Sequence, residues 1–312
     1  MDMVVELPVI EAFDAISADY DAVQDDWYGA LDARLEELIL GTLGRNLEGR
    51  FILDIGCGTG LYSLKLARRG ARVLGIDPAR RLVEQARRKA QRWGLQGAGF
   101  GTGRAEALPV ADRCADAVVC CGSVFAFVEE PEAALREFYR VLKPGGWLIF
   151  DLENRFGLDT VWLSLSGLLG DPLGYGVSRL EALRAVFTPP GRPVRLRYPL
   201  VRADGSTVYV GLRLDPPGLV KRWVCLAGFR VEAIEGLHIA GALIPSTLTI
   251  RPAPPRLVRS AFRGLVRLDR VLARLRPLKH LGTTLVFICR KPATARPAVR
   301  TSWAALLPAA AD

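Results

Sequence analysis

The chain has 312 residues, 50% hydrophobic and 24% charged, with 31 Gly and 20 Pro; this suffices for a large α/β domain with insertions and excludes a disordered chain. No apolar run reaches the roughly 18 uncharged residues that span a bilayer, the acidic N-terminus lacks the basic start of a signal peptide, and six Cys without a CxxC pair make neither a disulfide framework nor a metal site, so a reducing, cytoplasmic setting is expected. The net charge of +9 is uneven: residues 1–40 hold 11 acidic groups and one basic, residues 251–312 hold 13 basic and two acidic, and such a basic patch suggests an anionic partner surface.

Residues 9–43 read as helical, because Ala12, Ile16, Ala30, Leu31, Leu35, Leu38 and Ile39 recur at helical spacing between acids. Phe51–Ile55 is a short apolar run ending in glycines, as a buried parallel strand would. A helix over 60–69 stops at Gly70, a second strand over Arg72–Ile76 ends at Asp77, and Pro78 opens a helix over Ala79–Trp93. A weak third strand at Ala98–Gly101 and a fourth at Ala115–Cys121 precede a helix over Pro131–Leu142 and a fifth strand over Trp147–Leu152. This alternation predicts βαβ units and a parallel sheet. After residue 152 the rhythm breaks into a short apolar helix and two β-like runs, Val194–Leu200 and Thr207–Leu214, joined as a hairpin by the turn Ala203-Asp204-Gly205-Ser206. A helix over Leu219–Ala227, strands over Arg230–Glu235 and Thr283–Arg290, and a loose tail follow. The expected organisation is a helical cap over 1–50, a core over 51–152, an insertion over 153–218 that lids an acceptor, a core helix and strand over 219–238, a basic amphipathic insertion over 239–280, a last strand over 281–291 and a flexible tail over 292–312.

The stretch Leu53-Asp54-Ile55-Gly56-Cys57-Gly58-Thr59-Gly60 sits where the first strand meets the first helix of the core. Glycines there let the backbone approach a ligand, and a helix N-terminus offers free N–H groups. Asp77 ends the next strand, where a carboxylate can accept from ribose hydroxyls. A dinucleotide fingerprint would place its third small residue one position later, and the GK[ST] of a P-loop is absent.

With Phe13-Asp14 through Tyr20-Asp21, GIDP at 75–78, Gly103-Arg104-Ala105-Glu106-Ala107-Leu108-Pro109, Asp116-Ala117-Val118-Val119 and the run Glu137 to Gly146 ending in RVLKPGG, this stretch resembles the class I S-adenosylmethionine (SAM)-dependent methyltransferases. The likeness covers about 12 to 153 and is greatest to the branch that methylates small molecules, quinones and lipids. It implies a Rossmann-like α/β fold, a mainly parallel seven-stranded sheet with helices on both faces and inserted lid elements. It also implies roles. The loop Gly56, Cys57, Gly58 and Gly60 would hold the methionine part of the cofactor, Asp54 would orient the loop or reach its ammonium, and Asp77 would take the ribose diol. Pro78 would lie under the adenine, Ala105 would offer it backbone, Cys121 would turn its carbonyl to the ammonium, and Tyr20 would close a lid. The family often has an acid where Arg104 stands. Arginine cannot accept a hydrogen bond, so either Glu106 takes the adenine amino group or that contact is missing.

The sulfonium carbon is already electrophilic. The protein must align a nucleophile at about 3–3.5 Å, exclude water and, for hydroxyl or protonated amine acceptors, remove a proton. The only two His, His238 and His280, fall at the ligand-binding edge of such a sheet and are candidate general bases, or else surface and capping residues. Tyr28 and Tyr175 read as packing residues, Cys114, Cys120 and Cys121 as core residues, and Asp215-Pro216-Pro217-Gly218 as a helix lead-in. In 251–280, Arg256, Arg259, Arg263, Arg267, Arg270 and Arg274 alternate with apolar residues at helical spacing. Such a helix can lie in a membrane interface, pack on the domain with a solvated Arg face, or bind nucleic acid, although base-stacking aromatics are missing except Phe262.

The expected function is SAM-dependent methyl transfer to a small, largely apolar acceptor (lipid, isoprenoid, quinone or polyketide-like), releasing S-adenosylhomocysteine. The apolar stretches Val161–Leu169 and Ile239–Ile250 would roof the acceptor. Alternatives are an RNA or protein methyltransferase docking through 251–280, and a non-catalytic SAM-binding protein. The expected location is cytoplasmic, with peripheral contact at the inner membrane surface.

Overall fold

The computed structural model describes residues 7–18, 20–21, 26–201, 207–250, 254–273, 275 and 278–293. Its strands are β1 (Phe51–Ile55), β2 (Arg72–Asp77), β3 (Ala98–Thr102), β4 (Ala115–Cys120), β5 (Leu142–Glu153), β6 (Val194–Val201), β7 (Thr207–Leu214), β8 (Arg230–Leu237) and β9 (Thr284–Arg290). Its helices are α1 (Val9–Ala15), α2 (Asp26–Leu43), α3 (Leu61–Ala67), α4 (Arg80–Arg92), α5 (Pro131–Val141), α6 (Leu158–Leu168), α7 (Arg179–Phe187), α8 (Pro217–Leu226), α9 (Ser246–Thr249) and α10 (Arg256–Leu272).

Seven strands form one sheet in the order β3-β2-β1-β4-β5-β9-β8. Strands β1 to β5 are parallel, and β9 runs antiparallel to both β5 and β8. Strand order reverses between β1 and β4, and the crevice beyond the carboxyl ends of those strands is where open α/β sheets bind ligands. Successive strand residues point to opposite faces. Ile52, Val73, Val119 and Ile149 pack against Leu31, Leu35 and Ile39 of α2 and Leu66 of α3. Leu53, Val118, Leu148 and Phe150 pack against Phe138 of α5 and Val220 and Val224 of α8. Burying each such side chain stabilises the fold by about 1.5–3 kcal/mol.

Several expected elements differ in extent or role. The helical stretch 9–43 divides in two: α2 covers one face of the sheet, whereas Ala12 of α1 and Ile16 just past its end pack on Leu200, Val208 and Val210 of the β6–β7 hairpin. The fifth strand starts at Leu142, because Ala115 pairs with it before a register shift lets Ala117 pair with Trp147. Helix α7 was not anticipated; its signal is the capping box Ser178–Glu181, in which the Ser178 hydroxyl accepts from the Glu181 N–H and the Glu181 carboxylate accepts from the Ser178 N–H. The hairpin pairs as expected from Val194 with Leu214 to Val201 with Thr207. The turn 203–206, Arg274 and the tail beyond 293 lie outside the described residues.

Asp215, read as part of a helix lead-in, does more than precede α8. The Arg213 guanidinium donates from Nε to both Asp215 carboxylate oxygens at 2.9 and 3.0 Å and from its two terminal nitrogens to the carbonyls of Phe125 and Val128, with both residues buried. This pins the hairpin to the turn Val124–Phe127 that follows β4. Asp215→Ala would leave the guanidinium buried without its counter-charge, at a cost of about 3–5 kcal/mol. Urea unfolding should register that loss, and a smaller one in the double variant Arg213→Met with Asp215→Leu.

Candidate active site

The glycine loop leaves β1 at its carboxyl end. Gly56, Gly58 and Gly60 adopt φ of 69°, 53° and 87°, a region that other residues enter only with strain. A side chain at Gly56 would also collide with its surroundings, since a Cβ there would lie 2.2 Å from Val124 Cγ1. Gly56→Ala should therefore displace the Val124 turn and abolish cofactor binding, with a measurable drop in melting temperature. Cys57 is buried against Leu64, Val83 and Phe100, and burial pushes its thiol up.

Asp77 sits beneath this loop, 7% exposed. Its carboxylate accepts from the Gly58 N–H at 2.9 Å and the Ala79 N–H at 2.8 Å. A carboxylate has about four acceptor positions, so capacity remains for a diol. Asp54 is also buried and accepts from the Ser63 hydroxyl at 2.6 Å, and burial foremost, with Asp77 adding, pushes it up to about 6. Neither Asp54 nor Asp77 has an ion pair with a Lys or Arg among the described residues. Two adjacent buried carboxylates without a cation fit a positively charged ligand. Pro78 is exposed beside them.

The N-terminal segment straps the loop down. Asp14 accepts from the Arg81 N–H at 2.9 Å, the Ser17 carbonyl accepts from Gln85 at 2.5 Å, and Asp21 accepts from the Thr59 hydroxyl at 2.6 Å while pairing with Lys89. This brings the Tyr20 ring over Gly58, its hydroxyl 3.8 Å from where a Cβ would stand. An aromatic row leads away from Tyr20: Phe13 at 6.3 Å, Phe127 5.3 Å beyond, then Tyr198 of the hairpin at 6.4 Å, whose hydroxyl meets that of Tyr28.

Ala105 is buried next to Ile55 and Ile76. Arg104 is exposed and pairs with Glu129 at 2.7 Å and Glu106 at 3.6 Å, and Glu106 also accepts from the backbone of Glu129. Both side chains thus brace the 129–130 loop. Cys121 is buried at the end of β4 near Asp54 and Asp151, and burial pushes its thiol up.

A second group of acids, which the sequence reading missed, lies at the carboxyl end of β5 and the start of α6. Asp151 is fully buried and accepts from the N–H groups of Gly122 and Ser123 at 3.0 Å; burial pushes it up to about 7. Glu153, two residues on and on the same face of β5, accepts from the Ser123 hydroxyl at 2.5 Å, and Ser123 itself holds φ of 64°. Burial foremost, with the charges of Asp151 and Asp159, pushes Glu153 up to about 7 against that hydrogen bond. Asp159 accepts from the hydroxyls of Tyr175 at 2.6 Å and Ser246 at 2.7 Å. The only sequence signal was an alternating Asp-Leu-Glu at the end of a buried strand.

The two histidines do not join this group. His238 is 3% exposed, packed against Trp27 at 4.1 Å and Phe262 at 5.6 Å, and neither ring nitrogen has a hydrogen-bond partner. Burial pushes it down to about 3, so this candidate general base is a neutral core residue rather than a base or a surface cap. His280 is exposed on the turn Leu278–Leu281, where its carbonyl accepts from Asn154.

A family description named methyltransferase domain matches residues 53–150. The ubiquinone biosynthesis O-methyltransferase of Leptothrix cholodnii is 36% identical over 114 residues, covering 36% of this chain and 48% of that protein. The malonyl-(acyl-carrier protein) O-methyltransferase of Serratia marcescens is 34% identical over 152 residues, covering 48% of this chain and 54% of that protein. The chain spans about half the length of the curated relatives it matches. In fold it is similar to the 4+2 cyclase SpnF, with a TM-score of 0.55 at 20% identity over 93% of this chain and 98% of that one. Residues 53–150 are thus similar to a methyltransferase domain, carried on the parallel strands of the seven-stranded sheet.

Proposed function

We propose that the chain transfers a methyl group from SAM to a hydroxyl or amine of a small, largely apolar acceptor, releasing S-adenosylhomocysteine. The observation that carries this reading is the pairing of two half-sites across β1, β4 and β5: Asp54, Asp77 and the glycine loop on one side, Glu153 with Ser123 on the other, adjoining where Gly56 packs on Val124. When bound, SAM supplies an electrophilic methyl on a sulfonium that leaves as a neutral thioether.

The residues divide the work. Asp77 would take the ribose diol, and the backbone of Gly56, Cys57, Gly58 and Gly60 the methionine part. Asp54, held by Ser63, adds negative charge beside Asp77 that favours the cationic ligand. Asp151 fixes the backbone after Cys121 through the Gly122 and Ser123 amides. Pro78 and Ala105 border the adenine position, Arg104 and Glu106 brace the 129–130 loop beside it, and Tyr20 covers the glycine loop and excludes water. Glu153 is the proton acceptor, with a pKa near the operating pH as general bases require. Phe13, Phe127 and Tyr198 offer apolar surface to the acceptor. The stretch Val161–Leu169 contributes less than expected, since Val161, Leu165, Leu168 and Leu169 are exposed.

A second reading is cyclisation of the acceptor without methyl loss. A relative named S-adenosyl-L-methionine-dependent Diels–Alderase, from Talaromyces variabilis, favours it; that protein is 39% identical over 129 residues, covering 39% of this chain and 42% of its own. Radiolabelled methyl transfer into fractionated lipid, metabolite and RNA pools tests the proposal. Label in an apolar fraction with stoichiometric S-adenosylhomocysteine is expected. Acceptor turnover without S-adenosylhomocysteine selects cyclisation, label in RNA or protein selects a macromolecular substrate, and SAM binding with neither leaves a binding protein. A cytoplasmic location, peripheral to the inner membrane through 251–280, is part of the same proposal; no helix among the described residues is long and apolar enough to cross a membrane.

A further inference from the structure

Helix α10 carries more apolar surface than its packing uses. Phe262, Asp269 and Ala273 form its buried side against Trp27, Ala240 and Ala242. A second apolar line, Leu257, Leu268 and Val271, stays exposed, with Leu257 82% exposed. These three positions recur at multiples close to a helical turn and so lie along one edge of the helix. Arg256, Arg263, Arg267 and Arg270 project from the edge beside that line and are also exposed, Arg270 pairing with Glu37. A helix that only covered the domain would need one apolar side.

Aliphatic side chains are also exposed on neighbouring elements. The turn Gly241–Leu243 contacts α6 and the Phe262–Asp269 side of α10, and its Leu243 is exposed. On α6, Val161, Leu165 and Leu169 are exposed at spacings of four, with Leu169 74% exposed, while Trp162 faces inward and donates to the Ala242 carbonyl. The two helices and this turn thus each expose large aliphatic side chains, and on α10 exposed arginines stand beside them.

We propose that this exposed edge of α10 docks on the headgroup layer of an anionic lipid bilayer, the aliphatic side chains entering the acyl boundary and the arginines pairing with lipid phosphates. The charge selects the occupant: arginines beside aliphatics complement an anionic interface, whereas a second copy of this chain would present the same positive charge. The docking deepens the peripheral location proposed above. Because it is read from a surface away from the glycine loop, vesicle binding and methyl transfer can fail separately.

The test uses the full chain, co-sedimented with vesicles of pure phosphatidylcholine and of phosphatidylcholine with phosphatidylglycerol. Binding is expected only with phosphatidylglycerol and weakens with added salt. Arg256→Gln with Arg267→Gln should weaken it at least tenfold, at about fivefold per arginine. Leu257→Gln with Leu268→Gln should weaken it by at least as much, with SAM affinity and melting temperature unchanged in both variants. No binding, equal binding to both vesicles, or binding that survives both double variants overturns the proposal. So does a concentration-dependent dimer that Leu257→Gln dissolves, or a tRNA shift at salt where vesicles do not bind.

Discussion

Changing Glu153 to Gln is expected to cut the methyl-transfer rate by roughly 10²- to 10⁴-fold, the usual range for a positioned general base, while leaving SAM affinity within about twofold. The variant keeps an oxygen for the Ser123 hydroxyl but cannot take a proton. In the native chain the rate should rise with pH through about 7, because Glu153 must be ionised and burial holds its pKa near that value. The variant should show a flat residual rate over that range. Stability gives an independent readout. A carboxyl whose pKa is higher folded than unfolded binds its proton more tightly in the native state, so its contribution makes stability fall as pH rises from the unfolded value of 4.5 to about 7 and stay level above. The melting temperature of Glu153→Gln should fall less steeply than that of the native chain across this window. An unchanged pH–rate profile in the variant would remove Glu153 from the reaction.

The second large effect concerns Asp77. Its replacement by Ala removes two charge-assisted hydrogen bonds to a diol, each worth about 1.5–3 kcal/mol, so SAM should bind at least 100-fold more weakly. Asp77 also receives the Gly58 and Ala79 amides, and part of the loss would come through the loop. Asp77→Asn separates the two contributions. It keeps one acceptor for the loop but loses the charge, and should fall between the native chain and the alanine variant. Binding of S-adenosylhomocysteine, which lacks the sulfonium but keeps the diol, should drop as much as that of SAM.

How far the fold and site could be read from sequence depended on locality. The glycine loop and Asp77 were legible because contiguous residues carry them: a strand, a turn that needs positive φ at Gly56, Gly58 and Gly60, and an acid at the next strand end. Short apolar runs and helix stops likewise marked most of the sheet. What lay beyond sequence was assembled from distant segments. Glu153 acquires its character from Ser123, 30 residues earlier, and from Asp151 and Asp159 in a buried setting, none of which an isolated Glu at a strand end reveals. Conversely, His238 stood out because histidine is rare in this chain, yet its surroundings come from Trp27, more than 200 positions upstream, and from Phe262. The docking of α1 on the hairpin through Leu200, Val208 and Val210 is likewise a contact between segments far apart in sequence. Helix α10 showed its amphipathic spacing plainly, but not that the packed side and the exposed aliphatic edge are different.

The most direct test is to irradiate the chain with SAM labelled in its methyl group and map the attached peptide. Label on peptides around Tyr20 or residues 53–60, displaced by excess S-adenosylhomocysteine, is the predicted result. Label that maps to another part of the chain, or that the competitor leaves in place, would contradict a cofactor pocket built on the glycine loop and Asp77.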